Sequence, residues 1–171
     1  MEPHFELPPS AWVQRWAAAI RPGGVVLDVA AGSGRHARWL ARMGFEVEAV
    51  DRDASLFAGA PAGVKVIEAD IEAGPWPFAG RRFDGIVVTN YLHRPLLAVL
   101  AASLEAGGVL IYETFATGNE RFGKPSNPDF LLAPGELLEA VRGRLRVIAY
   151  EDLTVSEPRP AALQRLAARR E

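Results

Sequence analysis

Two glycines and an aspartate in the first third of the chain have the types and spacing to bind a nucleotide. The apolar run 25–29 contains Asp28 and leads into Gly32 and Gly34, after which the composition becomes helical. Glycine allows backbone torsions and close approaches that a β-carbon blocks, so a ligand can lie against such a turn and the first amides of the helix. The spacing of the glycines also matches the dinucleotide fingerprint, although this spacing alone does not identify the ligand.

Asp28 narrows the choice of ligand. Its carboxylate lies four residues before Gly32, near the predicted ligand end of the strand. A negative charge there repels a pyrophosphate, whereas it attracts the sulfonium and ammonium groups of S-adenosylmethionine. The turn therefore favours S-adenosylmethionine over NAD as the cofactor. A purely structural cap of the turn is the alternative role for Asp28.

Two further charged positions fit the same ligand. Asp51 ends the next apolar run about twenty residues after the glycines, where an acidic side chain meets the ribose hydroxyls of a nucleoside. The alternative role of helix N-cap can be filled by Asp53, which leaves Asp51 free. Arg35, in the first turn of the helix, can pair with the carboxylate of the methionine portion, and Arg38 is a second candidate.

The stretch Leu27-Asp28-Val29-Ala30-Ala31-Gly32-Ser33-Gly34-Arg35-His36 is the most specific part of a wider pattern, whose other parts are residues 49–53, 68–72, 90–96 and 107–115. On these residues the chain resembles the class I S-adenosylmethionine-dependent methyltransferases over nearly its whole length. Within them it is similar to the small bacterial group of tellurite-resistance methyltransferases.

The resemblance implies further roles at the cofactor. An acidic residue after the third strand accepts a hydrogen bond from the adenine amino group in this family, and an apolar neighbour packs on the ring. Asp70 and Ile71 match these two positions, and Asn90 matches a residue under the methionine portion. Ala30 and Arg52, within the matching stretches, complete the predicted cofactor-binding set.

The acceptor is less clearly encoded. Tyr91-Leu92 follows Asn90 where the adenine-methylating branch of the family has two prolines, which argues against methylation of nucleic-acid bases. His93 and Glu113 are the predicted catalytic proton acceptors, with a structural role as the alternative for His93. The irregular stretch 116–133 is predicted to lie over the acceptor, because long structureless loops in small domains are usually functional.

Alternating strand and helix patterns predict an α/β fold, a Rossmann-like three-layer sandwich with a mostly parallel seven-stranded sheet. The predicted helices are 10–20, 35–43, 95–104 and 134–142, and the predicted strands are 25–29, 45–50, 64–69, 83–89, 107–115, 145–153 and 161–170. The last segment has helical composition, but the resemblance implies a final antiparallel strand, which is the prediction made here.

Composition bounds the remaining choices. The chain has 171 residues, 49% hydrophobic and 23% charged, which predicts one domain over residues 1–171. The net charge of -2 argues against a large nucleic-acid surface, and the basic residues at 142–146 and 165–170 are predicted to be solvated. No cysteine is present, and His4, His36 and His93 are scattered, so no metal site is expected. Without a leader or membrane-spanning pattern, a cytoplasmic location is expected.

The leading hypothesis is therefore a methyltransferase that uses S-adenosylmethionine on a small-molecule acceptor. Two alternatives stay open, an RNA methyltransferase that works with a partner protein and a non-catalytic S-adenosylmethionine-binding protein. The sequence assigns neither the methylated atom nor an oligomeric state.

Overall fold

The computed structural model describes residues 7–171 and contains one seven-stranded sheet with the order β3-β2-β1-β4-β5-β7-β6. Its strands are β1 (Val25–Val29), β2 (Glu46–Asp51), β3 (Val64–Glu68), β4 (Phe83–Thr89), β5 (Leu104–Phe115), β6 (Arg146–Val155) and β7 (Ala161–Arg169). The first five strands pair in parallel, and β7 is antiparallel to both β5 and β6. The predicted fold class is confirmed, including the antiparallel last strand.

Four short α-helices cover the sheet: α1 (Ala11–Trp16), α2 (Arg35–Arg42), α3 (Leu97–Ala102) and α4 (Glu136–Val141). The Ser10 hydroxyl caps α1, because its oxygen accepts hydrogen bonds from the amides of Trp12 and Val13. Among residues 7–171, none of the helices has the length and apolar character that crossing a membrane requires.

The core has two halves because the central strands are buried on both faces. Leu27, Ile86 and Leu110 lie in the half closed by α3 and α4, whereas their neighbours Val26 and Val87 lie in the half closed by α1 and α2. This arrangement explains the continuous apolar runs in β1 and β4, which are typical of parallel strands between two helical layers.

Several predicted elements differ from the structure in their bounds or their content. The helix predicted over 95–104 is a 3-10 turn at Arg94–Leu96 followed by α3, and β5 already begins at Leu104. The stretch 116–133, predicted to be irregular, contains the 3-10 turns Asn119–Arg121 and Pro128–Phe130. In β7 the helical composition is overridden, since residues 161–168 are mostly buried between β5 and β6.

Candidate cofactor and acceptor site

The turn after β1 is shaped by its two glycines, both of which have positive φ. Gly34 has φ +84° and begins α2, and a β-carbon there would overlap the buried ring of Phe57. Gly32 has φ +56°, and a β-carbon there would meet no atom within 4 Å. Gly34 is therefore required by protein packing, whereas Gly32 leaves open space above the turn in which a ligand can lie.

Asp51 connects this turn to the end of β2. Its Oδ2 accepts a 2.9 Å hydrogen bond from the Gly32 amide, and its Oδ1 accepts one of 3.0 Å from the Asp53 amide. Asp53 caps the next turn through the Ser55 amide as expected, so Asp51 is free of that role but is engaged by these two backbone amides. A carboxylate accepts about four hydrogen bonds, so lone pairs on both oxygens remain for a ligand.

A cavity of about 200 Å³, which we call the β3 cavity, lies at the ends of β2 and β3. It is lined by Ala30, Asp51, Arg52, Ala69, Asp70, Ile71, Glu72 and Tyr91. Five predicted cofactor-binding residues therefore surround one space. Its carboxylates and apolar carbons fit the hydroxyls and the ring of a nucleoside.

Asp70 is partly engaged by its own turn. Its Oδ1 accepts hydrogen bonds of 3.0 Å from the amides of both Glu72 and Ala73, and these bonds hold the pKa of this exposed carboxyl below its usual range. Oδ1 therefore holds the turn, which leaves Oδ2 for a ligand.

A second cavity of about 330 Å³, the loop cavity, adjoins the first and shares Glu72 and Tyr91 with it. Its walls are otherwise Asn90, Leu92, Thr114, Phe115, Pro125 and Phe130. Two of these residues belong to the stretch 116–133, so that stretch lies over the end of β4.

A third cavity of about 470 Å³, the hairpin cavity, shares Asn90 and Phe115 with the loop cavity. The chain segment 7–11 and the turn between β6 and β7 form its outer walls. Arg35, Glu113 and Arg165 supply charge on its inner side. The three cavities therefore form a row along the carboxyl ends of the parallel strands, where ligands bind in open α/β sheets.

Arg35 and Arg38, the two candidates for a carboxylate contact, have different surroundings. Arg35 lines the hairpin cavity, and its Nη1 donates a 2.9 Å hydrogen bond to the Pro8 carbonyl. Burial lowers the pKa of Arg35 from its ordinary value. Arg38 instead donates to the carbonyls of Ala58 and Gly59 and lies over the Phe57 ring. Of the two candidates for a carboxylate contact, Arg35 is therefore the one that lines a cavity of the row.

Glu113 is the first of three alternating charges that lie side by side on β5, β7 and β6. Arg165 is directly opposite it on β7, and Glu151 is directly opposite Arg165 on β6. The Arg165 Nε donates to Glu113 Oε2 at 2.5 Å, and its Nη1 donates to Glu151 Oε2 at 3.1 Å. The prediction of solvated basic residues at 165–170 is wrong for Arg165, whose side chain is only 18% exposed.

Asp28 is buried below the turn, with 1% of its surface exposed. The Ala37 amide hydrogen-bonds to its carboxyl group, while Oδ2 has no hydrogen-bond partner within residues 7–171. Burial raises the pKa of Asp28 to about 7, opposed by the Ala37 amide and by Arg35. Because the lining of the three cavities excludes it, Asp28 acts on a ligand there only across the turn.

His36 is a polar residue that the sequence did not single out. It is buried on α2, where Nε2 accepts a 3.0 Å hydrogen bond from the Ser10 amide and Nδ1 lies 3.3 Å from Thr89 Oγ1. Burial and the nearby Arg35 lower the pKa of His36 to about 3. The ring is therefore neutral and joins the start of α1 to the end of β4.

His93 comes directly after Leu92, which lines the loop cavity, but lies itself outside the lining of the three cavities. Its Nδ1 lies 3.2 Å from Oε1 of Glu72, a residue that lines both the loop cavity and the β3 cavity.

The described residues contain no group of three or more acidic or histidine side chains placed to hold a metal ion.

Backbone strain marks two of the predicted residues. Ala30 and Asn90 are the non-glycine residues with positive φ among residues 7–171, at +54° and +53°. Each lies directly after a parallel strand and lines the cavity row. Such conformations cost about 1–3 kcal/mol and persist where the surrounding structure enforces them, often at functional sites.

These features together define the class of fold. The sheet order, the antiparallel β7 and the glycine turn facing a row of cavities are those of the class I methyltransferases. A family model described as a methyltransferase domain matches residues 26–108. The resemblance to this class is confirmed.

Curated relatives are also methyltransferases by name. The chain is 42% identical over 80 residues to a protein-L-isoaspartate O-methyltransferase of Methylorubrum extorquens, covering 43% of this chain and 34% of that protein. It is 38% identical over 110 residues to an uncharacterized methyltransferase of Mycobacterium tuberculosis, covering 57% of this chain and 54% of the relative. The chain thus spans between a third and about half of the length of these relatives.

Solved structures share the fold at low identity. TehB from Haemophilus influenzae superposes with a TM-score of 0.76 at 20% identity, covering 93% of this chain and 61% of TehB. The glycopeptide N-methyltransferase MtfA, solved with S-adenosylmethionine, gives 0.66 at 20% identity over 98% of both chains. The predicted similarity to the TehB group is therefore confirmed at the level of the fold.

Proposed function

We propose that the chain is an S-adenosylmethionine-dependent methyltransferase with a small-molecule acceptor. The observation that carries this proposal is the open cradle at Gly32, held by Asp51 at one end of a continuous row of three cavities. The names of the relatives and of MtfA, which was solved with this cofactor, support it.

The residues fit the cofactor in order along the row. Asp51 has lone pairs for the ribose hydroxyls, and Asp70 and Ile71 are beside the space for adenine. Arg35, at the far end, is a cation for the methionine carboxylate. Gly34 and Ala30 shape the turn, and Arg52 lies at the outer wall of the β3 cavity.

The sulfonium lies between the nucleoside and the amino acid in this cofactor, so we place the transferred methyl group beside Asn90 and the acceptor in the loop cavity. Transfer from a sulfonium is an in-line displacement, in which positioning supplies about 7–11 kcal/mol of the barrier. Leu92, Phe115, Pro125 and Phe130 give this space apolar walls. The volume of about 330 Å³ fits a small molecule with an apolar body.

Incubation with methyl-labelled S-adenosylmethionine and a cell extract tests the proposal. We expect the label in the small-molecule fraction and stabilisation of the fold by S-adenosylhomocysteine but not by NAD. Label in RNA identifies the partner-dependent RNA methyltransferase, and tight binding without transfer identifies a cofactor-binding protein. A domain over 1–171 and a cytoplasmic location stay predictions.

The acceptor position has its own test in a matched pair of phenylalanines. Phe130 lines the loop cavity, whereas Phe122 lies on the same stretch beneath Arg121 and lines none of the three cavities. The two side chains are similarly exposed, at 53% and 42%. We expect Phe130→Ala to lower transfer to the labelled small molecule and Phe122→Ala to leave it unchanged, with equal affinity for S-adenosylhomocysteine. Equal transfer by both variants would place the acceptor elsewhere.

A further inference from the structure

Two opposite charges line the inner wall of the hairpin cavity. Arg35 comes from the first turn of α2 and Glu113 from the end of β5, and each side chain faces a space that also borders Asn90. The two are close enough that Glu113 acts on the Arg35 guanidinium through its charge. An amino-acid head group carries the complementary pair, a carboxylate and an ammonium.

Glu113 is fixed in place by the strand register. The Arg165 Nε holds its Oε2, and Glu151 holds Arg165 from the other side. The Glu113 side chain is 10% exposed and that of Arg165 is 18% exposed, so the ion pair is largely withdrawn from water. Since an arginine only donates hydrogen bonds, Oε2 is an acceptor here and the remaining lone pairs of the carboxylate are available to a ligand.

We infer that Glu113 binds the methionine ammonium of the cofactor and that Arg165 is the residue that positions Glu113. This assignment rests on the proposed function. It replaces the expected role of Glu113 as a proton acceptor, because an ion-paired carboxylate beside Arg35 serves as a fixed anionic partner for a cation. Asp28 competes poorly for the same ammonium, since it lies below the turn and outside the cavity lining.

The test compares ligands that differ only in the head group. Calorimetry measures the affinities of S-adenosylhomocysteine, of its analogue without the amino group, and of methylthioadenosine, which has no head group at all. We expect Glu113→Gln to weaken S-adenosylhomocysteine binding by about tenfold to a hundredfold, the loss of a hydrogen bond to a charged group. The two ligands that lack the ammonium should lose less than about threefold.

Arg165 and a second glutamate supply the controls. Arg165→Leu should weaken S-adenosylhomocysteine in the same selective way, and Arg165→Lys should restore part of the affinity. Glu157→Gln removes an exposed carboxylate from the wall of the same cavity. This variant should bind S-adenosylhomocysteine and the two other ligands with the affinities of the unaltered protein.

The outcomes separate the two claims. Equal weakening of all three ligands by Glu113→Gln, or no weakening of any, overturns the ammonium assignment while the methyltransferase proposal stands. If Glu157→Gln, and not Glu113→Gln, weakens S-adenosylhomocysteine more than the two ligands without the ammonium, the ammonium site lies at the hairpin. This result also overturns the assignment to Glu113. Failure of the unaltered protein to bind S-adenosylhomocysteine refutes the proposed function itself.

Discussion

The Gly32 amide donates a 2.9 Å hydrogen bond to Oδ2 of Asp51, which ties the turn after β1 to the end of β2. The two residues are separated by 19 positions in sequence, and their strands are neighbours in the sheet. A single carboxylate thus fixes the cradle and supplies the lone pairs that face the β3 cavity. The proposed binding of a ribose by Asp51 would therefore be coupled to the position of the turn.

This coupling predicts the effects of two aspartate substitutions. Asp51→Ala removes both the anchor of the turn and the ribose acceptor, so S-adenosylhomocysteine affinity should fall by about tenfold to a hundredfold. Asp70→Ala should cost less, because one oxygen of Asp70 serves its own turn. Calorimetry on both variants checks the order. Parent-like affinity in Asp51→Ala would reduce this carboxylate to a structural anchor.

The two glycines of the turn should respond differently to alanine. In Gly34→Ala the β-carbon overlaps Phe57 and adopts an unfavourable φ, so the free energy of unfolding should fall by about 2–5 kcal/mol. In Gly32→Ala the φ penalty of about 1–2 kcal/mol stands alone, but the β-carbon projects into the cradle. Urea unfolding should therefore identify Gly34→Ala as the less stable variant, and Gly32→Ala should show the larger loss of ligand affinity per folded molecule.

Much of this site could be predicted from sequence because it follows from the order of the strands. Asp51, Asp70 and Asn90 each come directly after an apolar run, and parallel strands bring such positions to one edge of the sheet. Roles of the individual residues stay predictions, but their common location requires only local patterns and the parallel topology.

The residues whose surroundings could not be predicted are those placed by contacts between distant parts of the chain. Arg165 lies in a segment of helical composition, and its burial follows only from its pairing with Glu113 and Glu151 across the sheet. His36 lies beside Thr89 and the Ser10 amide, contacts that no periodicity encodes. Strain at Ala30 was equally invisible, since alanine rarely adopts a positive φ, whereas asparagine, the residue type at position 90, is enriched there.

Asp28 and His36 should have opposing effects on the pH dependence of stability. The folded pKa of Asp28, about 7, is above its ordinary 3.8, so its contribution to stability is lost as pH rises through this range. The folded pKa of His36, about 3, is below 6.5, so its contribution is lost as pH falls below 6.5. Each group changes the free energy of unfolding by about 1.4 kcal/mol per pH unit, and the two changes nearly cancel between about pH 4.5 and 6.

Single substitutions should reveal the two opposing contributions to the pH dependence of stability. The stability of Asp28→Asn relative to the unaltered protein should improve by about 2 kcal/mol from pH 5.0 to pH 6.5, and that of His36→Gln should worsen by a similar amount. Urea unfolding of the three proteins at both pH values gives these differences directly. A pH-independent difference for Asp28→Asn would mean that this carboxyl group titrates in the folded protein as it does in the unfolded chain.

The pairing of His93 with Glu72 makes a catalytic role for this histidine testable. With the Nδ1 proton donated to Glu72 Oε1, the other ring nitrogen keeps its lone pair, on the residue that follows Leu92 of the loop cavity. A base oriented by a carboxylate in this way contributes about 10²–10⁴-fold when the acceptor must lose a proton. We expect His93→Gln to lower turnover by this factor while S-adenosylhomocysteine affinity stays within about twofold. Glu72→Gln, which keeps the shape of the partner, should cause a smaller loss of turnover. If His93→Gln instead lowers only the melting temperature and keeps its turnover per folded molecule, the histidine merely holds the chain after β4 in place through Glu72.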